Sequence, residues 1–177
     1  MEKWYVAAKK ADFDKWAKEF HISPVTARIL RNRDLTEESE IQKFLYGKLE
    51  DCYSPWLLKD MDKAVKRINR ALDDGESICI YGDYDCDGVT STALLYTFLS
   101  ALGGFVSYYI PNRATDGYGM NFKAIDKIKA DGTDLIITVD NGISSIEEAE
   151  YIYSLGMQLI VTDHHQIGEK LPRAEAV

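Results

Sequence analysis

Residues 77–92 read SICIYGDYDCDGVTST, and this segment has the pattern of an α/β fold. Its first six residues, 77–82, are apolar enough for a short buried strand, and a helix is predicted over 88–102 after the acidic run. Further apolar strands are predicted at 105–110, 134–139 and 157–162, with helical segments between them. Apolar strands that alternate with helices indicate a parallel sheet covered on both faces. We therefore predict a doubly wound, mainly parallel α/β domain.

Two regions of the chain differ in pattern. Residues 1–55 predict a small helical N-terminal segment, in which Asp12 and Ser23 are candidate helix N-caps. Residues 56–177 predict the α/β domain, and a capping box that starts at Ser145 is expected to open its last helix. We expect the helical segment to pack on the main domain. The alternative is a nucleic-acid contact through three arginines, Arg28, Arg31 and Arg33.

Composition and charge exclude several classes of protein. The 177 residues are 46% hydrophobic and 28% charged, which excludes a disordered chain. No apolar run approaches the roughly 20 residues of a membrane helix, and three scattered cysteines suit a reducing, cytoplasmic environment. The formal net charge is −8, and residues 51–177 carry 11 basic and 20 acidic side chains. Such an acidic domain is not expected to wrap duplex DNA by charge alone.

Acidic and imidazole side chains follow three of the four predicted strands. Ligands of parallel α/β sheets bind just outside the carboxyl ends of the strands, so these side chains are expected to meet at one edge. The segments are Asp83 to Gly88, Asp140 to Gly142, and Asp163 to His165, with Pro111 to Arg113 after the second strand. Carboxylates brought together repel one another unless a cation binds between them. Oxygen and imidazole ligands suit Mn²⁺ or Mg²⁺.

Other interpretations of the acidic run fit less well. An EF-hand loop would need a glutamate at its twelfth position, where this chain has Leu94. A solvated turn would explain one acidic cluster but not three, each directly after an apolar strand. A phosphate-accepting receiver domain also gathers acidic residues at strand ends, but it lacks adjacent histidines. The helix after Gly88 should favour an anion at its N-terminus, where Thr90 and Ser91 are candidate phosphate contacts. Arg113 is a further candidate, unless it pairs with Asp116.

Three ordered motifs resemble those of the DHH phosphoesterase superfamily, and within it the RecJ-type exonucleases. YGDYDCDGVT (81–90) is similar to the first motif, VDNGI (139–143) to the second, and TDHH (162–165) to the motif that names the superfamily. PNR (111–113) with GYG (117–119) resembles a segment typical of the RecJ branch. The resemblance runs from about residue 40 to the end of the sequence.

This resemblance implies a 5′-to-3′ exonuclease for single-stranded DNA, in DNA repair and recombination, that uses two divalent cations, Mn²⁺ or Mg²⁺. By motif position it implies four metal ligands: Asp85, Asp87, Asp140 and His164, with Asp140 as the bridge. His165 matches a residue that contacts the scissile phosphate or assists the leaving group. Asp83 and Asp163 match supporting positions in catalysis. The residues do not determine whether a repair helicase or a single-strand-binding protein is a partner.

The sequence departs from the family pattern in two respects. Tyr81 stands four residues before Asp85, where some branches have a metal-binding histidine. This difference argues against pyrophosphatase-type chemistry. RecJ-type proteins also continue past the third motif, so we expect an N-terminal fragment, truncated on the C-terminal side of its DHH domain and nearly inactive alone. Two alternatives stay open: a DHH phosphodiesterase for short oligoribonucleotides or cyclic dinucleotides, and a non-catalytic DHH scaffold.

Overall fold

The computed structural model describes Lys3, residues 9–117 and residues 119–177, in two compact units, residues 1–54 and 55–177. The described part of the first unit contains three α-helices, α1 (Phe13–Glu19), α2 (Pro24–Asn32) and α3 (Glu38–Tyr46), and a short 3₁₀ helix (Leu49–Asp51). Five buried apolar side chains of this unit form its core: Trp16, Phe20, Ala27, Leu30 and Ile41. In the described residues no helix combines the length and apolarity needed to cross a bilayer.

The predicted N-caps of the first unit are confirmed. The carboxylate of Asp12 accepts a hydrogen bond from the Lys15 N–H at 2.9 Å, and the Ser23 hydroxyl accepts one from the Thr26 N–H at 3.0 Å. The arginines of the alternative interpretation are partly engaged within the unit. The Arg28 guanidinium lies 4.6 Å from the centre of the Phe13 ring, which is a cation–π distance.

The second unit begins with a 3₁₀ helix (Pro55–Leu57) and then alternates helices with strands. In its described residues the elements are α4 (Met61–Asp74), β1 (Ser77–Tyr81), α5 (Cys86–Ala101), β2 (Phe105–Tyr109), α6 (Phe122–Ala130), β3 (Leu135–Val139), α7 (Ile146–Ser154) and β4 (Gln158–Thr162). Ser145 is the N-cap residue of α7, but its side chain makes no capping hydrogen bond. The predicted capping box is therefore wrong, because the Ser145 side chain accepts no hydrogen bond from the first turn of α7.

The four strands pair in parallel in the order β2-β1-β3-β4, which confirms the predicted fold class. Alternate strand residues face opposite sides: Ile78 and Ile137 pack with α4 and α5, whereas Tyr81 and Ile136 pack with α6 and α7. The chain leaves β1 for β2 at one edge and then returns past β1 to β3. The strand order therefore reverses between β1 and β3, which is where α/β sheets bind their ligands.

Strand β2 differs from the prediction of burial on both faces. It lies at the edge of the sheet, and its residues Phe105 and Tyr108 are 68% and 60% exposed. The apolar sequence of β2 does not by itself identify an edge strand, because residue type alone does not determine the order of strands in a sheet.

Candidate metal centre

The loop after β1 turns directly into α5. One oxygen of Asp85 accepts hydrogen bonds from the N–H groups of Asp87 and Gly88, at 2.9 and 3.0 Å. The helix therefore begins at Cys86, two residues before the predicted start, because Asp85 is its N-cap. The hydrogen bond from Gly88 is the main cause that lowers the pKa of Asp85, so this carboxylate is ionised at neutral pH.

Asp83 is a buried carboxylate with an unsatisfied oxygen. Asp83 is 2% exposed, and its Oδ1 atom has no hydrogen-bond partner among the described residues. Carboxylate oxygens of Asp83, Asp85 and Asp140 lie within 4.8 Å of one another. A buried polar atom without a partner is costly, and a cation bound to these three carboxylates would offset part of that cost.

The loop after β3 places Asp140 in an unusual backbone conformation. Asp140 has φ +62°, in the left-handed region that aspartate tolerates better than most residues. Its N–H donates to the Thr162 carbonyl at 3.0 Å, which ties the loop to β4. The buried Asn141 amide donates to the carbonyls of Tyr81 and Val139, at 3.1 and 3.0 Å. Sequence reasoning missed this role of Asn141, although Asp-Asn-Gly is a typical signal for a left-handed loop.

Asp140 also faces charged neighbours. Burial raises its pKa above the usual value and the nearby Asp85 carboxylate adds to this, while His164 acts in the opposite direction. The distance between Asp140 Oδ1 and His164 Nε2 is 2.9 Å. Ligand atoms of Asp140, His164 and His165 form a second group within 4.8 Å, so Asp140 belongs to both groups.

The remaining candidate residues surround the same edge of the sheet. A cavity of about 430 Å³ is lined by Asp87, Thr90, Ser91, Asp140, Thr162, Asp163 and His164. Asp87 is in this lining, but its carboxylate lies outside both groups of three. The Thr90 hydroxyl donates to the Cys86 carbonyl at 2.7 Å, within the first turn of α5. The cavity therefore joins acidic groups to a helix N-terminus.

Arg113 lies in the loop after β2 and is not among the residues that line this cavity. Its guanidinium lies 5.4 Å from the centre of the Tyr84 ring, and among the described residues it forms no ion pair with Asp116. The Asp116 carboxylate instead accepts hydrogen bonds from the Asn112 N–H and the Tyr109 hydroxyl. Of the predicted GYG segment, Tyr118 lies outside the described residues.

Asp163 and His165 form a hydrogen-bonded pair, with Asp163 Oδ1 2.7 Å from His165 Nδ1. The hydrogen bond to Asp163 is the main cause that raises the pKa of His165 above 6.5. Burial would raise the pKa of Asp163, but hydrogen bonds from Ile143 and His165 outweigh it and hold that pKa below 3.8. The pair is therefore strongest where Asp163 is ionised and His165 is protonated.

This pair should make the stability of the metal-free chain depend on pH. The raised pKa of His165 gives stabilisation that is present below pH 6.5 and lost as pH rises through that pKa. The lowered pKa of Asp163 gives stabilisation that is present above pH 3.8 and lost as pH falls through that pKa. Thermal melts in EDTA from about pH 3 to pH 9 should show both losses in the difference between wild type and His165→Asn. A difference that does not vary with pH would contradict this coupling.

Comparisons with known proteins agree with this arrangement. The family model for the DHH family, N-terminal domain, matches residues 77–177. The single-stranded-DNA-specific exonuclease RecJ of Bacillus subtilis is 43% identical over 159 residues, which is 90% of this chain and 20% of that protein. The RecJ of Escherichia coli is 40% identical over 158 residues, or 88% of this chain and 26% of that protein. The chain thus spans only a minor part of the length of these relatives.

Two solved structures are also similar. Exonuclease RecJ bound to manganese superimposes with a TM-score of 0.65 and 36% identity, covering 70% of this chain and 32% of that one. RecJ of Thermus thermophilus in complex with Mn²⁺ gives 0.64 and 29%, covering 92% of this chain and 22% of that one. The matched family region contains the whole parallel sheet and every carboxylate and imidazole of the two groups. The chain therefore belongs to the DHH family.

Proposed function

We propose that this chain carries the metal-binding part of a phosphodiesterase that removes nucleotides from the 5′ end of single-stranded DNA. The observation that carries the proposal is the unsatisfied, buried Oδ1 of Asp83 beside the carboxylates of Asp85 and Asp140. Oxygen-rich groups of this kind suit Mn²⁺ or Mg²⁺. The titles of the two similar structures name Mn²⁺, and the relatives are named for action on single-stranded DNA.

The residues fit two divalent cations. We propose four ligands, Asp85, Asp87, Asp140 and His164, with Asp140 shared because it belongs to both groups. Asp83 supports them with its unsatisfied oxygen. When bound, such cations acidify water and neutralise charge on the phosphoryl oxygens. The lowered pKa of Asp85 favours binding, because that carboxylate needs no deprotonation at neutral pH.

The other candidate residues are proposed to hold the DNA. The N-terminus of α5, with Thr90 and Ser91, faces the cavity and favours an anionic phosphate. Arg113 offers a planar donor group next to Tyr84, a combination that suits a phosphate and an adjacent base. His165 is proposed to contact the scissile phosphate or to assist the leaving group. The three unpaired cysteines agree with a cytoplasmic location, which we also propose.

Mn²⁺ should stabilise the second unit. A ligand that binds only the folded state stabilises it by RT ln(1 + [L]/Kd), or about 2.7 kcal/mol at a hundredfold excess over Kd. We expect the melting midpoint of the chain to rise in millimolar Mn²⁺ and to return on addition of EDTA. Equal midpoints with and without Mn²⁺ would refute the metal centre.

Cleavage is tested with 5′-labelled single-stranded DNA, duplex DNA and short RNA in Mn²⁺. The chain is assayed beside the product of the complete open reading frame that encodes it. Preference for single-stranded DNA, with release of the labelled terminal nucleotide, is the expected result. Cleavage confined to short RNA would favour the oligoribonucleotide phosphodiesterase, and no Mn²⁺-dependent cleavage of any substrate by the complete product would favour a non-catalytic scaffold.

A further inference from the structure

We propose that Asp163 is a positioning residue: its carboxylate fixes the orientation of the His165 ring and ties the loop after β3 to the loop after β4. The proposal rests on the proposed function in that it explains how one residue of that site is held. It separates Asp163 from the metal ligands, although both kinds of residue are aspartates at strand ends.

Both oxygens of Asp163 are engaged by donors of the protein itself. Oδ2 accepts the Ile143 N–H at 2.9 Å. Oδ1 accepts the N–H groups of His164 and His165, at 2.7 and 3.1 Å, and lies 2.7 Å from His165 Nδ1. The side chain is 2% exposed, and Asp163 belongs to neither group of potential ligands. Asp83 is the contrasting case, because one of its oxygens has no partner among the described residues.

The hydrogen bond to Asp163 determines which nitrogen of a neutral His165 carries the proton. An ionised carboxylate can only accept, so Nδ1 must donate, and the ring directs Nε2 away from Asp163. One ring nitrogen of His165 lies within 4.8 Å of the ligand atoms of Asp140 and His164. The ring also stacks on His164, with the two centres 4.7 Å apart. Asp163 therefore sets both the tautomer and the direction of a ring that faces the proposed site.

The bond to Ile143 extends this effect to a second loop. Ile143 lies three residues after Asp140, and the Asp140 N–H itself donates to the Thr162 carbonyl at 3.0 Å. Asp163 thus fastens the loop that carries Asp140 to the loop that carries His164 and His165. Loss of an outer carboxylate that orients a metal-ligating histidine typically reduces activity or metal affinity by about 10–100-fold, and we expect an effect of this size on activity for the loss of Asp163.

Nitrogen-15 NMR of the metal-free chain, labelled at histidine, tests the proposal without any activity. At alkaline pH, where the imidazole is neutral, His165 should be protonated at Nδ1 in the wild type, and His165→Asn assigns its signals. In Asp163→Asn the Nδ1–H population should fall. Asp116→Asn is the matched control, because Asp116 also holds a loop by accepting hydrogen bonds from Asn112 and Tyr109 but lies outside both ligand groups. It should leave the His165 signals unchanged.

The kinetic counterpart uses saturating Mn²⁺ and the product of the complete open reading frame. Asp163→Asn should lower kcat about 10–100-fold with a smaller change in KM, whereas a defect in holding DNA would act mainly on KM. Protonation of wild-type His165 at Nε2, or a spectrum unchanged in Asp163→Asn, would overturn the positioning role. If Mn²⁺ still stabilised the protein in that case, the proposed metal centre would stand. The wild type could instead show the Nδ1–H form but neither stabilisation nor cleavage in Mn²⁺. That result would reject the proposed function and still support the ring orientation.

Discussion

Asp140→Asn should abolish the stabilisation of this chain by Mn²⁺. In the product of the complete open reading frame it should reduce Mn²⁺-dependent cleavage by more than about 100-fold, beyond the usual cost of an outer-sphere partner. Asp140 is shared by both groups of potential ligands, so its loss weakens both positions at once. Asparagine keeps the size of the side chain and tolerates the left-handed backbone at φ +62°. The measurements are melting midpoints in Mn²⁺ and in EDTA, followed by the single-stranded DNA assay.

The same variant should fold at least as well as the wild type in EDTA. Burial and the Asp85 carboxylate both raise the pKa of Asp140, which means that its charge is unfavourable in the metal-free protein. A neutral amide removes that repulsion. The matched control is Asp116→Asn, which removes a loop carboxylate outside both groups and should retain the Mn²⁺ effect. A normal Mn²⁺ shift in Asp140→Asn would show that Asp140 is no ligand.

Gly88→Ala should destabilise the chain by about 1–3 kcal/mol, the usual range for overpacking. A Cβ at this position would lie 2.5 Å from both the N and the O of Asp83. These are backbone atoms, so the start of α5 or the loop after β1 must move. Helix propensity alone gives the opposite sign, since alanine is favoured over glycine inside a helix by about 1 kcal/mol.

Urea unfolding in EDTA measures this effect, and Mn²⁺ melts report on the site. The displaced loop carries Asp83 and Asp85, so the Mn²⁺ shift should shrink as well. Gly168→Ala is the matched control, because its nearest non-adjacent atom would be the Lys170 carbonyl oxygen at 3.9 Å. That variant should stay within about 0.5 kcal/mol of the wild type. If Gly88→Ala were more stable than the wild type, the backbone of Asp83 would have to move away from the added Cβ without loss of stability, which would contradict the prediction.

The edge at which the site forms was predictable from the sequence, whereas the direction of its side chains was not. Apolar strands followed by Asp83, Asp140 and Asp163 predict a shared edge, because parallel strands end on the same side. The left-handed φ of Asp140 and the inward turn of Asp163 depend on how the loops close. Three aspartates at equivalent places in the pattern therefore have three different environments.

Local capping signals were correct for two of the three predicted helix starts, with Ser145 as the exception, and sequence signals failed where packing decides. Asp12 and Ser23 cap helices as predicted, since their partners are three residues away. Asp85 also caps a helix, but the sequence predicted it only as a metal ligand because of its acidic neighbours, so its role as an N-cap was missed. Exposure of Phe105 could not be predicted, because it follows from the position of β2 in the sheet.

The pairing of β1 with β3 has a consequence for how the protein folds. Cys79 and Ile136 are partners in this pair, although a helix, a strand and another helix separate them in sequence. Such distant contacts close late, because the entropy of the intervening loop is lost before the pairing is gained. We therefore expect Asp140 to join Asp83 and Asp85 only in the step that completes the centre of the sheet. A divalent cation is therefore expected to bind the folded domain but not its partly folded precursors. Mn²⁺ should then lower the unfolding rate more than it raises the folding rate.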